Sequence, residues 1–287
     1  MSLRERIARK PIVLVPGIYD GLTATLAGQA GAEALYLSGA AIAYARFGRP
    51  DIGLISMAEV ADTIGAVRDR TDLPLIVDSD TGFGNALNVQ RTVRTFERMG
   101  ATGLQIEDQT MPKRCGHLAG KNVISTSEMV GKLHAALDAR TDADTLIIAR
   151  TDAIAVEGFK PALARAQAYA EAGADMVFLD ALQSEDQMRT ATASFTETPV
   201  MANMVEGGKT PIRSAADLEA LGFALAIFPG GIVRALARAA QDYYTSLMAH
   251  GSTRPFAERM FDFDGLNEVI GTPEMLALGQ RYDGDIQ

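Results

Sequence analysis

Hydrophobic and polar positions along the chain repeat one unit. An amphipathic stretch is followed by a glycine and, two or three residues later, by an uninterrupted apolar run. The unit stands in AGQAGAEALYLSG around Gly31, FERMGATGLQIED around Gly100, AEAGADMVFLDA around Gly173 and LEALGFALAIFPG around Gly222. Glycine just past the last helical turn can take the left-handed conformation that ends a helix, and a short apolar run suits a strand buried on both faces. Further runs at Pro11–Val15, Leu73–Val77, Leu146–Ala149 and Val200–Ala202 complete eight predicted strands, beginning near residues 11, 34, 73, 103, 145, 176, 199 and 223. Helix starts fall between them. Ser56 with Glu59, Ser125 with Glu128 and Ser184 with Gln187 have the spacing at which a hydroxyl and a side chain three residues on satisfy exposed N–H groups reciprocally.

Strict alternation of this kind gives a parallel sheet, either open or closed into a barrel. Eight strands with no intervening linker, and no GxGxxG after the first, favour an α/β (β/α)8 TIM barrel over a dinucleotide-binding sheet. The barrel is expected over residues 1–250. The tail, 251–287, reads as extra C-terminal helices that cap the barrel or reach a neighbouring subunit.

Composition sharpens this reading. A length of 287 residues suits one barrel of about 250 residues plus an extension, and 47% hydrophobic residues exclude disorder over most of the chain. A net charge of -9 leaves no basic surplus for nucleic acid or anionic membrane. The single cysteine, Cys115, cannot form an intrachain disulfide, which favours a reducing compartment. The apolar stretch before Pro16 is too short for a signal-peptide core. Ala34–Ala45 and Ala220–Val233, the longest uncharged stretches, fall short of the roughly 20 residues of a membrane helix. A soluble, cytoplasmic protein is expected.

Barrels place reactive groups where strands end, at the C-terminal face. The residues following the apolar runs are Ser38; Asp78 and Asp80; Glu107 and Asp108; Arg150 and Asp152; Asp180; and Asn203. Any one could be a loop acid or a helix cap, but surface acids have no reason to gather at one end of successive strands. In LIVDSDTGFGN, Asp78 and Asp80 point the same way if the strand continues. With Glu107 they make a hard, oxygen-rich set suited to Mg²⁺ or Mn²⁺ rather than zinc; the alternative is that one Asp caps the next helix. In KRCGH, Lys113, Arg114 and His117 surround Cys115 and would lower its thiol pKa, making it a nucleophile or proton donor rather than a small core residue. Arg150, ending a buried strand, needs a partner: a substrate carboxylate, or a structural acid such as Asp152.

PGIYDGLTA, YLSGAA, GRPDIGLIS, VDSDTGFGNALNVQRTV, IEDQ, PKRCGH, IIARTDA and NMVEGGKTP together resemble the isocitrate lyase and phosphoenolpyruvate mutase superfamily, in order from about residue 11 to 235. Within it the chain is most similar to lyases of the 2-methylisocitrate and 2,3-dimethylmalate, oxaloacetate hydrolase and petal-death groups. The resemblance implies a barrel enzyme in homotetramers, with the last barrel helix exchanged between paired subunits. It implies Mg²⁺ held by Asp78 and Asp80, with Asp51 and Glu107 nearby. It implies a small carboxylate substrate bound by Tyr36, the backbone of Ser38, Gly39 and Ala40, and by Arg150, Asp180, Asn203 and Arg234. Cys115 matches a thiol that protonates the carbanionic product, and Gly116 and His117 lie on the same gating loop, residues 111–122. The implied chemistry is retro-aldol cleavage of a 2-hydroxy acid.

Three departures bear on the substrate. SGA replaces the family's SGG at Ser38–Ala40, Asp180 replaces a glutamate, and Gly230 and Gly231 leave more room than the larger residue usual in relatives. A later arginine of the methylisocitrate enzymes has no counterpart in FDFDGLNEV, where Phe263 and Leu266 resemble the dimethylmalate group; this favours a dicarboxylate such as a substituted malate. The rival chemistries on this scaffold are oxaloacetate hydrolysis or decarboxylation, and phosphonate mutase or hydrolase activity, whose enzymes generally lack the KRCGH thiol.

Overall fold

The computed structural model describes residues 1–116, 118 and 120–282. Eight parallel strands, β1 (Val13–Ile18), β2 (Leu35–Leu37), β3 (Leu75–Asp78), β4 (Gly103–Glu107), β5 (Leu146–Thr151), β6 (Met176–Leu179), β7 (Met201–Asn203) and β8 (Leu225–Phe228), pair in the order β6-β5-β4-β3-β2-β1-β8-β7. A single parallel bridge between Val177 and Val200 joins the two edges, so the sheet is a nearly closed barrel. Each strand starts within two residues of the apolar run that predicted it. The four junction glycines, Gly31, Gly100, Gly173 and Gly222, all have φ between +91° and +101°, the left-handed conformation their position requires.

The strands read as unbroken apolar runs because both faces are buried. Val13, Val15, Tyr36, Ile76, Leu146, Ile148, Met176, Phe178, Met201, Leu225 and Ile227 fill the barrel interior, and Leu3 and Ile7 of the helix Leu3–Ile7 join the same cluster. Alternate residues such as Val177, Leu179, Ala202 and Ala226 pack in a second cluster with Ala162 and Ala166 from the helix Phe159–Glu171 and Met188 and Ala191 from the helix Glu185–Ala193. All three predicted helix starts are capped by their serine, but only the first shows the full reciprocal pattern. Ser56 and Glu59 form the full reciprocal cap and Ser125 accepts from Glu128 N–H. Ser184 accepts from Gln187 N–H, but the Gln187 side chain accepts from Gln183, one residue earlier than expected.

The chain divides into two compact units, residues 1–232 and 233–287. The helix Gly231–His250 buries only Val233, so all but its first residues group with the tail. The second unit continues through a 3-10 turn, Arg254–Arg259, and the helices Phe263–Val269 and Thr272–Gln280. Among the described residues no helix is long and apolar enough to cross a membrane.

Candidate active site

The carboxyl ends of β2 to β7 bring most of the predicted polar residues to one mouth. β3 stops at Asp78, and the chain turns left-handed at Asp80, with φ +46°. The expected continuation of the strand is therefore absent; the turn, closed by Asp80 N–H donating to Asp78 Oδ1 at 3.2 Å, aligns the two acids instead. Neither caps the next helix, Ala86–Arg98, which starts on Asn85. A Cβ added to Gly39 would lie 3.4 Å from Asp78 Oδ2 and 3.5 Å from Asp80 Oδ1, so both carboxylates converge on the first turn of the helix Gly39–Phe47. In that turn the N–H groups of Gly39 and Ala40 have no helical acceptor and suit an anion. The N–H of Ser38 does not join them. It donates to Ile18 O at 3.1 Å, and the Ser38 hydroxyl caps Ala41.

The loop after β4 docks on this cluster through Lys113. Its ammonium lies 2.7 Å from Asp51 Oδ1 and 2.8 Å from Asp80 Oδ1, and Cys115 N–H donates to Asp51 O at 3.0 Å. Lys113 was expected to activate the Cys115 thiol; with its charge balanced by two carboxylates it supplies no net positive field there. Of the other two expected activators, Arg114 is held through its backbone, its N–H donating to Gln109 Oε1 at 3.0 Å and its carbonyl accepting from Gln109 Nε2 at 2.8 Å, and His117 lies outside the described residues. At Gly116 the backbone presses on the site floor: a Cβ would overlap Asp180 Oδ2 and stand 2.6 Å from Arg150 Nη2. Lys121 ties this segment down, donating to Gly116 O and, at 2.8 Å, to Asp152 Oδ1.

Arg150 is committed within the protein. It makes a bidentate pair with Asp152 at 2.9 and 3.1 Å, stands 3.4 Å from Glu107 and 3.5 Å from Asp180, and lies over the Phe178 ring. Of the two partners foreseen for it, the structural acid is present. Asn203 Nδ2 donates to Asp180 Oδ1 at 3.1 Å. Asp108 belongs elsewhere: alternation along β4 turns it outward, where it accepts from Thr151 Oγ1 at 2.7 Å, Tyr169 Oη at 2.8 Å and Asp152 N–H at 2.9 Å. Arg234 is exposed and belongs to the second unit. Beside Gly231 stands the exposed side chain of Glu206, whose Oε1 would be 2.9 Å from an added Cβ.

Charge at the mouth is unbalanced. Asp51, Asp78, Asp80, Glu107, Asp152 and Asp180 are all buried, against three buried cations, Lys113, Lys121 and Arg150. Burial, reinforced by Asp78 and Asp51 against the pull of Lys113, pushes the Asp80 carboxyl up to about 7. Burial likewise raises Glu107 well above the carboxylate range despite Arg150, and its Oε1 has no hydrogen-bond partner among the described residues. Burial acts the same way on Asp152, but Arg150 and Lys121 outweigh it and hold that carboxyl low. Excess buried carboxylate is costly unless a cation compensates. The donor set is all hard oxygen and fits Mg²⁺. The expected triad of Asp78, Asp80 and Glu107 is nonetheless not a ready-made cage. Among the described residues no three acid, His or Cys side chains are gathered for a metal, and Lys113 occupies the Asp51–Asp80 edge.

Sequence reading passed over Lys121, which looks like a solvated loop charge, and saw Lys113 only as a neighbour of the thiol. It also passed over Gln105, buried within β4 and bonded to both Tyr36 and Asp78. The available signal was a polar residue inside an apolar run, two positions before Glu107 and hence on the same face.

Residues 3–248 match the family model described as phosphoenolpyruvate phosphomutase. The chain is 39% identical to the 2,3-dimethylmalate lyase of Eubacterium barkeri, over 98% of this chain and 97% of that one. It is 45% identical to a 2-methylisocitrate lyase of Aeropyrum pernix, over 94% and 87%. The crystal structure of a 2,3-dimethylmalate lyase superposes with a TM-score of 0.93 at 33% identity, covering 99% of this chain and 95% of that one. That of a phosphonopyruvate hydrolase with oxalate and Mg²⁺ gives 0.88 at 30%, covering 98% and 97%. With its barrel, its acidic mouth and these matches along nearly its whole length, the chain belongs to the phosphoenolpyruvate mutase/isocitrate lyase superfamily.

Proposed function

We propose that the protein is a Mg²⁺-dependent carbon–carbon lyase that cleaves a 2-hydroxy dicarboxylate of the substituted-malate type to a 2-oxo acid and a second carboxylate, with Mn²⁺ as a substitute ion. The observation that carries this is the excess of buried carboxylates at the mouth beside a docked loop holding Cys115. Asp78 and Asp80, with Asp51 and Glu107 nearby, would hold the ion, which when bound neutralises developing oxyanion charge. The N–H groups of Gly39 and Ala40, together with Arg150 and Asn203, would hold the substrate carboxylates. Glu107, whose Oε1 has no hydrogen-bond partner among the described residues, would accept the proton leaving the 2-hydroxyl. As that proton departs, the C–O bond becomes a carbonyl and the C–C bond breaks. Its electron pair stays on the carbon next to the second carboxylate, and Cys115 protonates that carbon. Closure of residues 111–122 would exclude water.

A panel of substituted malates, 2-methylisocitrate, oxaloacetate and phosphonopyruvate, run with Mg²⁺ and with EDTA, tests this. The expected result is pyruvate-type product from a hydroxy dicarboxylate, abolished by EDTA and restored by Mg²⁺. Turnover of phosphonopyruvate alone, or indifference to chelation, overturns it.

The partner we propose is a second copy of the chain, in a tetramer of paired subunits that exchange their last helices. The supporting features are the open groove lined by Leu14, Pro16, Ala27, Ala30 and Phe228 on the barrel, and the exposed Leu236, Tyr244 and Met248 on the helix Gly231–His250.

A further inference from the structure

A buried hydrogen-bond chain runs beneath the acidic mouth. Tyr36 Oη on β2 donates to Gln105 Oε1 on β4 at 2.9 Å, and Gln105 Nε2 donates to Asp78 Oδ1 at 3.4 Å. Tyr36 is 2% exposed and Gln105 0%, so neither amide nor hydroxyl exchanges its partner for bulk water. The direction of the chain is dictated from one end. An ionised carboxylate only accepts, so Gln105 must turn its NH₂ to Asp78; that aims Oε1 at Tyr36, whose single proton is then committed. Asp78 Oδ1 also accepts from Asp80 N–H at 3.2 Å. Two protein donors therefore engage Oδ1, while Oδ2 is turned toward Gly39, beside Asp80 Oδ1.

Building on the reading of Asp78 as a cation ligand, we propose that Gln105 is a positioning residue for the divalent cation: by engaging Oδ1 it offers the ion only Asp78 Oδ2, and Tyr36 holds Gln105 in the orientation that does so. Tyr36 thus acts through the ligand as well as lining the pocket. Outer-shell partners of metal ligands typically contribute about 10- to 100-fold in affinity.

The test is titration of the metal-free protein with Mn²⁺, read as loss of the free-ion EPR signal, with thermal unfolding followed in parallel. Gln105→Met is expected to raise the Mn²⁺ Kd at least about 10-fold. Tyr36→Phe should raise it less, and the double variant no more than Gln105→Met alone, because both act through one chain. A merely structural role would lower the unfolding temperature and leave the Kd unmoved; a Kd within twofold of wild type for Gln105→Met, or additive effects, overturns the proposal. Should Gln105→Met not fold, Tyr36→Phe decides alone: a rise of threefold or more supports the proposal, and no change overturns it. Asp78→Asn separates the two layers. If it leaves Mn²⁺ binding intact, the cation reading fails and the proposal with it. If it abolishes binding while Gln105→Met does not weaken it, only the proposal fails.

Discussion

Replacing Gly116 with alanine adds one methyl group at the point where the loop meets the site floor. The new Cβ would overlap Asp180 Oδ2 and lie 2.6 Å from Arg150 Nη2, where ordinary contact begins at 3.4 Å. Relief at Arg150 alone takes a retreat of about 0.8 Å, and the clash with Asp180 demands more. Neither neighbour can step aside cheaply, since Arg150 is held by Asp152 and Asp180 by Asn203. The loop must therefore lift, carrying Cys115 with it and straining the Lys121 contact to Gly116 O. A misplacement of about 1 Å at a reacting group costs about 10²-fold. The expected result is a fall in kcat/KM of that order, about 3 kcal/mol in transition-state stabilisation, measured by steady-state cleavage of the hydroxy acid that the substrate panel selects. The unfolding temperature should move little, because only a loop shifts. Gly131→Ala, in the helix Thr126–Ala139, is the control: its Cβ meets nothing within 4 Å. It should add about 0.5–1 kcal/mol of stability and leave activity alone. Activity of Gly116→Ala within threefold of wild type would refute the argument from contact.

Cys115→Ala and Cys115→Ser should lose most cleavage activity with an unchanged unfolding temperature; full turnover in either would remove the thiol as proton donor. Stability should depend on pH in a particular direction. The Asp80 carboxyl moves from an ordinary 3.8 to about 7 on folding, and Glu107 moves the same way, so the folded state binds more protons than the unfolded chain between about pH 4 and 7. Metal-free protein should lose stability as pH rises through that window, and Mg²⁺ should raise the unfolding temperature more at pH 8 than at pH 5. An equal or larger gain at pH 5 contradicts the proposed ligation. Light scattering on a sizing column should give four times the chain mass of 30.5 kDa; a monomer at micromolar concentration would exclude helix exchange.

The barrel was legible because burying both faces of every strand leaves apolar runs that stand out, and because four of the helix-to-strand junctions turn through a left-handed residue that only glycine takes cheaply. The polar residues of the mouth were legible from position alone: Asp78, Asp80, Glu107, Arg150, Asp180 and Asn203 all follow their apolar runs. Which neighbour each would choose was not. The sequence does not say that Lys113 folds back to Asp51 and Asp80, since that pairing joins three loops whose approach is set by tertiary packing. Nor does it separate Arg150 bound to Asp152 from Arg150 awaiting a substrate, because the two residues are neighbours in either case. Lys121 and Gln105 illustrate the opposite limits: one resembles any surface lysine, the other disappears into a strand.

Glu107 and Asp108 are consecutive residues with opposite duties, one facing the mouth and the other bracing Thr151, Tyr169 and Asp152 on the helix side. Shifting β4 by a single residue exchanges them, placing a shorter acid in the mouth and a longer one in a closed hydrogen-bonded niche. The strand therefore tolerates neither insertion nor deletion, even where each individual substitution is mild. In a library of length variants, survivors should carry their changes in loops and none between Gly103 and Asp108.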